Sequence, residues 1–206
     1  MPPKAKFTRP QLQAAALALV DKQGLTALSM RNLASALGTG PMTLYNYVKD
    51  RDDLDTLVVE AVMAEVALPR PSGDWQRDVR AIVEATWHTV RRHPNVIPLV
   101  LTRRTLHETT LIWAERLLEA LALSGRSGRE LLVAFRTVSG FVMGLAQAQL
   151  AGPLAAETDP DVARARALPP ARFPRLIEIA KAATRLGAER EFRAGLDIVM
   201  AGLAPR

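Results

Sequence analysis

Apolar residues recur along the chain at intervals of three and four positions, and this spacing predicts helices almost throughout. The first helical stripe covers residues 12–20. Thr8 precedes it with Gln11 three positions later, the spacing of a capping box that begins a helix, and Gly24 supplies the stop. Strand-like alternation is weak everywhere. The predicted fold class is therefore all-α.

Three further helix starts follow closely. Ser29 can cap a short second helix, which Gly38 ends. Pro41 suits the first turn of a third helix, where its missing amide hydrogen has no helical partner in any case. Asp50 can cap a fourth helix that covers residues 50–68. These short elements predict a tri-helical N-terminal unit with a linking helix behind it.

The stretch "PRPSG", residues 69–73, is the best candidate for a linker, because proline and glycine interrupt regular structure. It divides the chain into a predicted N-terminal domain, 1–68, and a larger helical domain, 69–206. The larger domain is predicted to contain helices over about 74–93, 95–103, 107–123, 128–151, 172–186 and 189–203. The proline-rich segment 152–171 is predicted to be a loop, with room for a short helical turn.

Charge is distributed unevenly. Residues 1–49 hold six basic side chains and one acid, whereas residues 50–68 hold six acids and one arginine. A basic N-terminal face is compatible with phosphate binding, although a solvated charged surface is the simpler interpretation of charge alone. The chain has no cysteine, which excludes disulfides and thiolate metal sites. With no secretory signal and no uninterrupted apolar run of about 18 residues, we expect a cytoplasmic protein outside membranes.

Helical geometry separates the side chains of the third helix into two faces. With Leu44 at the origin and about 100° per residue, Val48 and Tyr47 fall within about 60° of it and share the inward half. Met42 and Asn46 fall about 160° or more away and point outward. A helix with one core face and one free face after a tight turn is what a helix-turn-helix reader of the DNA major groove requires.

The remaining positions lie on the flanks. Tyr45 and Thr43 fall about 100° to either side of Leu44, so Tyr45 has a position from which its hydroxyl reaches a phosphate. The two tyrosines, two positions apart, cannot have the same role, and we expect Tyr47 at the edge of the core. Arg31, near the start of the second helix, is either a guanine or phosphate contact or an ordinary surface arginine.

The segment "LSMRNLASALGTGPMTLYNYVKDRDDLDTLV" resembles the DNA-binding region of the TetR family of one-component repressors. Leu44, Tyr45, Val48 and Leu54 match the family pattern, whereas Tyr47 stands where a histidine is usual. The resemblance implies a helix-turn-helix at about residues 29–48 in which phosphates and base edges are contacted by different side chains. The predicted DNA-binding residues are Arg31, Pro41, Met42, Thr43, Tyr45, Asn46, Tyr47, Lys49 and Arg51.

The rest of the chain is similar to the effector-binding and dimerisation domain of the same family, in the subgroup of the tetracycline repressors. That resemblance implies a homodimer formed through the helices at 128–151 and 189–203 as a four-helix bundle. Gly140 and Gly144 permit close helix contact, which is either packing within the chain or part of a dimer face. The predicted dimer residues are Val142, Leu145, Leu196, Val199, Met200 and Leu203.

Large apolar side chains supply candidates for an effector pocket: Trp87, Trp113, Phe135 and Met143. Plain core packing is the alternative for each of them. The few charges on the inner stripes indicate an apolar or aromatic effector. The histidines have no ligand spacing, so no metal site or cofactor is predicted. The segment "PLVLTRR" lacks the histidine that the resemblance places there in tetracycline-binding relatives, which argues against a magnesium–tetracycline effector.

Together these features predict a ligand-responsive transcriptional repressor that binds a palindromic double-stranded DNA operator as a homodimer and is released by a small molecule. The alternative is a DNA-binding regulator or architectural protein with no small-molecule effector. An enzyme is not expected, because the sequence shows neither a nucleophile paired with a base, nor a phosphate loop, nor a metal cluster.

Overall fold

The computed structural model describes residues 6–102, 107–151, 160–183 and 186–204. The described residues are helices joined by turns and loops, which confirms the all-α fold class. The chain divides into two compact units, Met1–Arg126 and Ser127–Arg206. This division falls elsewhere than the predicted domain boundary at 68/69, which stays a prediction.

The first unit contains seven α-helices within its described residues, with short 3-10 turns at Leu25–Ala27 and Pro94–Val96. Polar side chains begin four of them: the Thr8–Gln11 capping box forms both of its bonds, and Ser29, Asp50 and Asp74 accept from backbone amides. The helices are α1 (Arg9–Gln23), α2 (Met30–Ala36), α3 (Pro41–Leu44), α4 (Arg51–Ala64), α5 (Trp75–Arg92), α6 (Ile97–Thr102) and α7 (Glu108–Ala122).

The second unit contains four helices in its described residues: α8 (Gly128–Ala151), α9 (Pro160–Arg166), α10 (Pro174–Ala183) and α11 (Ala188–Leu203). Helix α9 lies in the stretch predicted as a loop and is longer than the single turn expected there. Residues 167–171 of that predicted loop are turns and irregular backbone, whereas residues 152–159 lie outside the described residues. The predicted helix ends elsewhere in the chain agree within a few residues, except that α4 ends at Ala64 and not at residue 68.

Helix α4 is the centre of the first unit. It contacts α1 on one side and α5, α6 and α7 on others, and buries Leu54, Leu57, Val58 and Val62. The burial of these apolar side chains is the main stabilising contribution of this helix. Helix α4 therefore touches both α1 of the N-terminal helices and the helices that follow the linker.

In the second unit, α8 and α11 approach closely at Gly195. A Cβ at this position would lie 2.7 Å from the ring of Phe141, which itself stacks on Phe192. Gly140 and Gly144 behave differently, since a Cβ at either position would meet no atom of the described residues within 4 Å. Close packing of these two glycines is therefore absent among the described residues, and both glycines are exposed there.

Helix α8 over Gly128–Leu150 is long and apolar enough to cross a membrane by length and composition, and 28% of its most apolar window is buried. Apolar helices of soluble proteins that pack against a partner pass the same test. Much of the apolar surface of α8 is therefore exposed in the described residues.

Candidate nucleic-acid interface

The turn between α2 and α3 positions the predicted reading surface. Gly38 adopts a left-handed φ of 62°, which glycine tolerates, and the Thr39 amide donates to the Ala34 carbonyl at 2.9 Å to close the end of α2. Pro41 then begins α3 at its first position. Sequence and structure agree on every element of this turn.

Helix α3 is shorter than the regular helix over residues 42–48 on which the prediction was based. Regular α-helix ends at Leu44, and residues 45–47 continue as turns. The amides of Tyr47 and Val48 both donate to the Leu44 carbonyl, at 2.8 and 2.9 Å, so the chain keeps its helical direction. Because the direction is kept, the inward and outward order of the side chains survives.

Burial follows that order. Leu44 and Val48 are fully buried against the core of the first unit. Met42 is 79% exposed, more than any other large apolar side chain in the part of the chain that the structure describes, and Asn46 is exposed as well. An exposed methionine beside an exposed asparagine forms a surface with an apolar contact for a thymine methyl and an amide for an adenine edge.

The two tyrosines have different surroundings, as the spacing predicts. Tyr45 is 51% exposed, whereas Tyr47 is half-buried. The Tyr47 hydroxyl accepts the backbone amides of Lys6 at 2.7 Å and Phe7 at 3.2 Å. Sequence reasoning missed this contact, because a hydrogen bond between residues 40 positions apart leaves no periodic signal.

Arg51 is engaged within the protein. Its guanidinium donates to the carbonyls of Leu28 at 2.6 Å and Leu25 at 3.3 Å and pairs with the buried carboxylate of Asp55 at 2.8 Å. These bonds hold the start of α4 against the 3-10 turn that follows α1. A DNA contact by Arg51 stays a prediction, and the structure adds this internal role to it.

The other predicted DNA-binding side chains lie on the surface around α3. Arg31, Pro41 and Lys49 are exposed, and Thr43 is partly exposed. The backbone amide of Lys49 donates to the Asp53 carboxylate just before α4. Lys49 itself is exposed. The roles of the predicted DNA-binding residues stay predictions.

Glu60 of α4 is a fully buried carboxylate with partners from two directions. Arg9 of α1 donates to both of its oxygens, at 2.9 and 2.7 Å, and Gln13 donates at 2.7 Å. The His107 Nε2 lies 3.6 Å from Oε1. The hydrogen bond to Glu60 raises the pKa of the Arg9 guanidinium above its ordinary value. A buried carboxylate requires such partners, so Glu60 joins α1 to the start of α7 through α4.

A second polar cluster lies just beyond Glu60, at the C-terminal end of α4. The His93 Nδ1 lies 2.8 Å from Asp21 Oδ2 and its Nε2 lies 3.0 Å from Glu65 Oε2. The hydrogen bond from His93, with help from Arg92, lowers the pKa of Glu65 below its ordinary value. Asn95 donates to the last carbonyls of α1, those of Val20 and Asp21. The end of α1 is thus tied to the segment that follows α5.

The predicted pocket residues fall in both compact units. In the first unit, Trp87 and Trp113 are buried, and the Trp113 indole donates to the Thr86 hydroxyl at 2.8 Å. In the second unit, Phe135 is partly buried and Met143 is buried on α8. Their role as a pocket stays a prediction.

A cavity of about 110 Å³ opens in the first unit between the linker, α5 and α7. Pro69, Ile82 and Ala120 line its apolar part and Arg116 its edge, whereas none of the four predicted pocket residues lines it.

The predicted dimer residues point mostly into the second unit. Val142, Leu196, Met200 and Leu203 are buried there, while Leu145 and Val199 are partly exposed. Their role in an interface stays a prediction. The open surface of the same helices carries different side chains, among which Ile198 of α11 is 75% exposed.

Both parts of the chain match family models of tetR-type regulators. Residues 12–54 match the family model described as bacterial regulatory proteins, tetR family. Residues 68–206 match the model described as tetracyclin repressor-like, C-terminal domain. The second match begins at residue 68, within one residue of the predicted boundary at 68/69.

Curated relatives are transcriptional regulators. The HTH-type transcriptional repressor DrrR1 of Streptomyces coeruleorubidus is 33% identical over 150 residues, which are 72% of this chain and 56% of that one. The chain therefore spans little more than half the length of that relative. The tetracycline repressor protein class D of Escherichia coli is 31% identical over 169 residues, 81% of this chain and 77% of that repressor.

The fold is similar to that of a solved regulator. Apo ActR of Streptomyces coelicolor matches with a TM-score of 0.83 and 30% identity, over 97% of this chain and 96% of that one. ActR has also been solved in complex with actinorhodin.

Proposed function

Because this chain belongs to the TetR family of bacterial regulatory proteins, we propose that it is a ligand-responsive transcriptional repressor in the cytoplasm. It binds a palindromic operator as a homodimer and is released by a small-molecule effector, with no catalytic step. The observation that carries this proposal is the exposed pair Met42 and Asn46 on a short helix whose opposite side, Leu44 and Val48, is locked in the core. The proposed domains are 1–68 for DNA binding and 69–206 for effector binding and dimerisation.

On the proposed DNA-binding surface, different side chains contact the bases and the phosphates. Met42 and Asn46 face base edges and set the sequence preference, while Thr43, Tyr45 and Lys49 hold phosphates and set the register. Support comes from the exposure of these side chains around one turn of helix. The basic N-terminal region provides the long-range attraction for DNA.

The second unit supports a homodimer. Helix α8 exposes Val133, Gly140 and Gly144 along one side, and a Cβ at either glycine would have open space. Small exposed residues allow the backbone of a partner helix to approach closely, and Ile198 of α11 adds an exposed apolar side chain in the same unit. Two-fold symmetry of such a dimer requires an operator with two inverted half-sites.

Release by an effector requires coupling between the reading surface and the following helices. Helix α4 is the proposed carrier, because Glu60 and the Glu65–His93 pair tie it to α1 and to the segments around α5 and α7. An effector that favours one position of α4 over another shifts the affinity for DNA by its differential affinity for the two states.

Selection from a pool of random DNA duplexes by the full-length protein tests this function. We expect enrichment of an inverted repeat with half-sites about one helical turn apart or somewhat more. Binding to the enriched duplex no tighter than to random DNA, at physiological salt, would contradict the proposal.

Two variants separate the proposed roles. Asn46→Ala should relax the preference at one base position and cost about 1–3 kcal/mol on the selected duplex. Lys49→Gln should weaken binding to all sequences and reduce the salt dependence. Equal effects of both variants on all duplexes would show that Asn46 does not read a base.

Actinorhodin is the first effector probe, because ActR binds it, and magnesium with tetracycline is the matched comparison. We expect an aromatic ligand, and not magnesium–tetracycline, to raise the melting temperature and release the selected duplex. If a broad set of apolar and aromatic compounds does neither, the protein is a DNA-binding regulator without a small-molecule effector.

A further inference from the structure

The residues that precede α1 are fixed to the reading surface by one hydroxyl. The Tyr47 oxygen accepts the amide of Lys6 at 2.7 Å and that of Phe7 at 3.2 Å. A phenol oxygen has two acceptor positions, and both are filled by consecutive backbone amides. We call Lys6 and Phe7 the N-terminal arm.

Ring contacts strengthen the same attachment. The Phe7 ring meets the Tyr47 ring edge-on, with centroids 6.1 Å apart at an interplanar angle of 68°. The Lys6 ammonium lies 5.4 Å from the centre of the Phe7 ring. Edge-to-face aromatic pairs and cations near a ring are favourable arrangements, so the arm has one preferred position on Tyr47.

This position places a cation at the turn before the reading helix. The Lys6 ammonium donates to the Thr39 hydroxyl at 3.2 Å, between Gly38 and Gly40. Among the described residues its hydrogen-bond partner is this neutral hydroxyl and not a carboxylate. A phosphate oxygen makes a stronger bond to an ammonium than a neutral hydroxyl does, so Lys6 is available to DNA.

The arm is not needed to begin α1. The Thr8 amide donates to the Gln11 side chain at 2.8 Å, and the Gln11 amide donates to the Thr8 hydroxyl at 3.4 Å. Because this capping box already satisfies the start of the helix, the two bonds to Tyr47 serve the arm itself.

We infer that Tyr47 is a positioning residue that holds the N-terminal arm so that the Lys6 ammonium contacts an operator phosphate beside α3. The inference rests on the proposed DNA-binding function. It explains the departure at position 47, where a phenol stands in place of the histidine expected from the resemblance. The phosphate contact is made by the arm, and the phenol supplies its anchor.

A double-mutant cycle on the full-length protein and its selected duplex tests the inference. We expect Lys6→Gln to weaken binding roughly fivefold per protomer, as for one hydrogen bond, and Tyr47→Phe to weaken it two- to threefold. The double variant should bind no more weakly than Lys6→Gln alone, because Tyr47 acts through Lys6. Lys6→Arg, which keeps the charge, should retain most of the affinity.

Salt dependence provides the readout that a purely structural role would not change. The slope of log affinity against log salt should fall by about 0.9 per protomer in Lys6→Gln, the value for one lost phosphate contact. Tyr47→Phe should reduce the slope in the same direction. Tyr45→Phe is the matched control, and its effect should add to that of Lys6→Gln.

Two outcomes would overturn the inference: an unchanged affinity and slope in Tyr47→Phe, or an effect of Tyr47→Phe that persists in the Lys6→Gln background. Tyr47→Phe keeps the ring and its contact with Phe7, and melting curves check that it folds. Faster tryptic cleavage after Lys6 in this variant is expected from release of the arm. If the wild type selects no sequence, the proposed function fails, and the same cycle on a random duplex still tests the arm, because phosphate contacts need no sequence.

Discussion

The proposed DNA-reading region, residues 6–50, and the second compact unit differ in how many apolar side chains they expose. In residues 6–50, side chains of Thr8, Ser29 and Asp50 begin the helices, and large exposed apolar groups are confined to Met42 and Tyr45 on the proposed DNA face. The second unit exposes a larger set of apolar side chains: Leu132, Val133, Leu150, Leu176, Ile179, Leu186 and Ile198. Exposed apolar groups are thus few in the reading region and many in the second unit, which is the contrast that the proposed homodimer accounts for.

The largest expected effect addresses the second unit. Ile198→Glu puts a charge on the proposed dimer surface, twice in each dimer because of the two-fold symmetry. We expect a loss of about 4 kcal/mol in dimerisation, roughly 1,000-fold in Kd. Analytical ultracentrifugation across a concentration series measures it.

Leu123→Glu is the control for that change, because Leu123 is also exposed and apolar but belongs to the first unit. It should leave the dimer intact. A dimer of unchanged strength in Ile198→Glu would remove α11 from the interface and weaken the contrast between the two regions.

A smaller effect tests whether the first unit is complete through its own polar contacts. Glu60→Gln removes the carboxylate that Arg9, Gln13 and His107 face, and we expect a loss of about 2 kcal/mol in the free energy of unfolding. Urea unfolding measures it. Glu65→Gln at the exposed end of α4 should cost much less, so equal losses would show that burial of Glu60 has little energetic importance.

The bonds from the linker to Asp78 allow a pH-dependent test of whether polar contacts stabilise the first unit. Burial raises the pKa of Asp78, but hydrogen bonds from the Ser72 hydroxyl and amide and from the Gly73 amide lower it more, so its pKa lies below the ordinary 3.8. The stabilisation is present above that value and is lost as pH falls through the depressed pKa. Asp78→Asn should cost about 1.5 kcal/mol at pH 7 and little in strong acid.

Unfolding of both proteins from pH 7 downward measures this difference. A gap between wild type and Asp78→Asn that stays constant below pH 3.8 would show that the charge of Asp78 does not contribute.

The smallest expected effect lies on the reading surface itself. Tyr45→Phe removes one hydroxyl from an exposed side chain and should weaken operator binding by about 1 kcal/mol per protomer without changing the melting temperature. Titration of the selected duplex measures the first quantity and thermal unfolding the second. A lower melting temperature would mean that Tyr45 supports the fold and does not hold DNA.

Sequence reasoning was most successful where local chemistry decides structure. Helices begin after Thr8, Ser29 and Asp50, because each side chain accepts a backbone amide three residues on. The first helix ends at Gly24, where glycine tolerates a positive φ. The inward positions of Leu44 and Val48 follow from helical period alone. These signals lie within a few residues of their effects, so one sequence is enough to find them.

The sequence was less informative where distant residues meet. The bond from Tyr47 to the arm, the burial of Glu60 and the direction of Leu196 all depend on which helices become neighbours. A stripe of apolar residues on α11 shows that one side is buried, but not whether the chain itself or a partner buries it. The interface role of the predicted dimer residues therefore stays a prediction.

Under the proposed function, Arg51 links a movement of α4 to the turn that follows α1. Because its guanidinium holds the carbonyls of Leu25 and Leu28 and the carboxylate of Asp55 together, the first turn of α4 and the turn after α1 form one stiff corner. Under the proposed function, a small rotation of α4 moves the turn after α1 with it. In mechanical terms, Arg51 makes α4 and the turn after α1 a single lever.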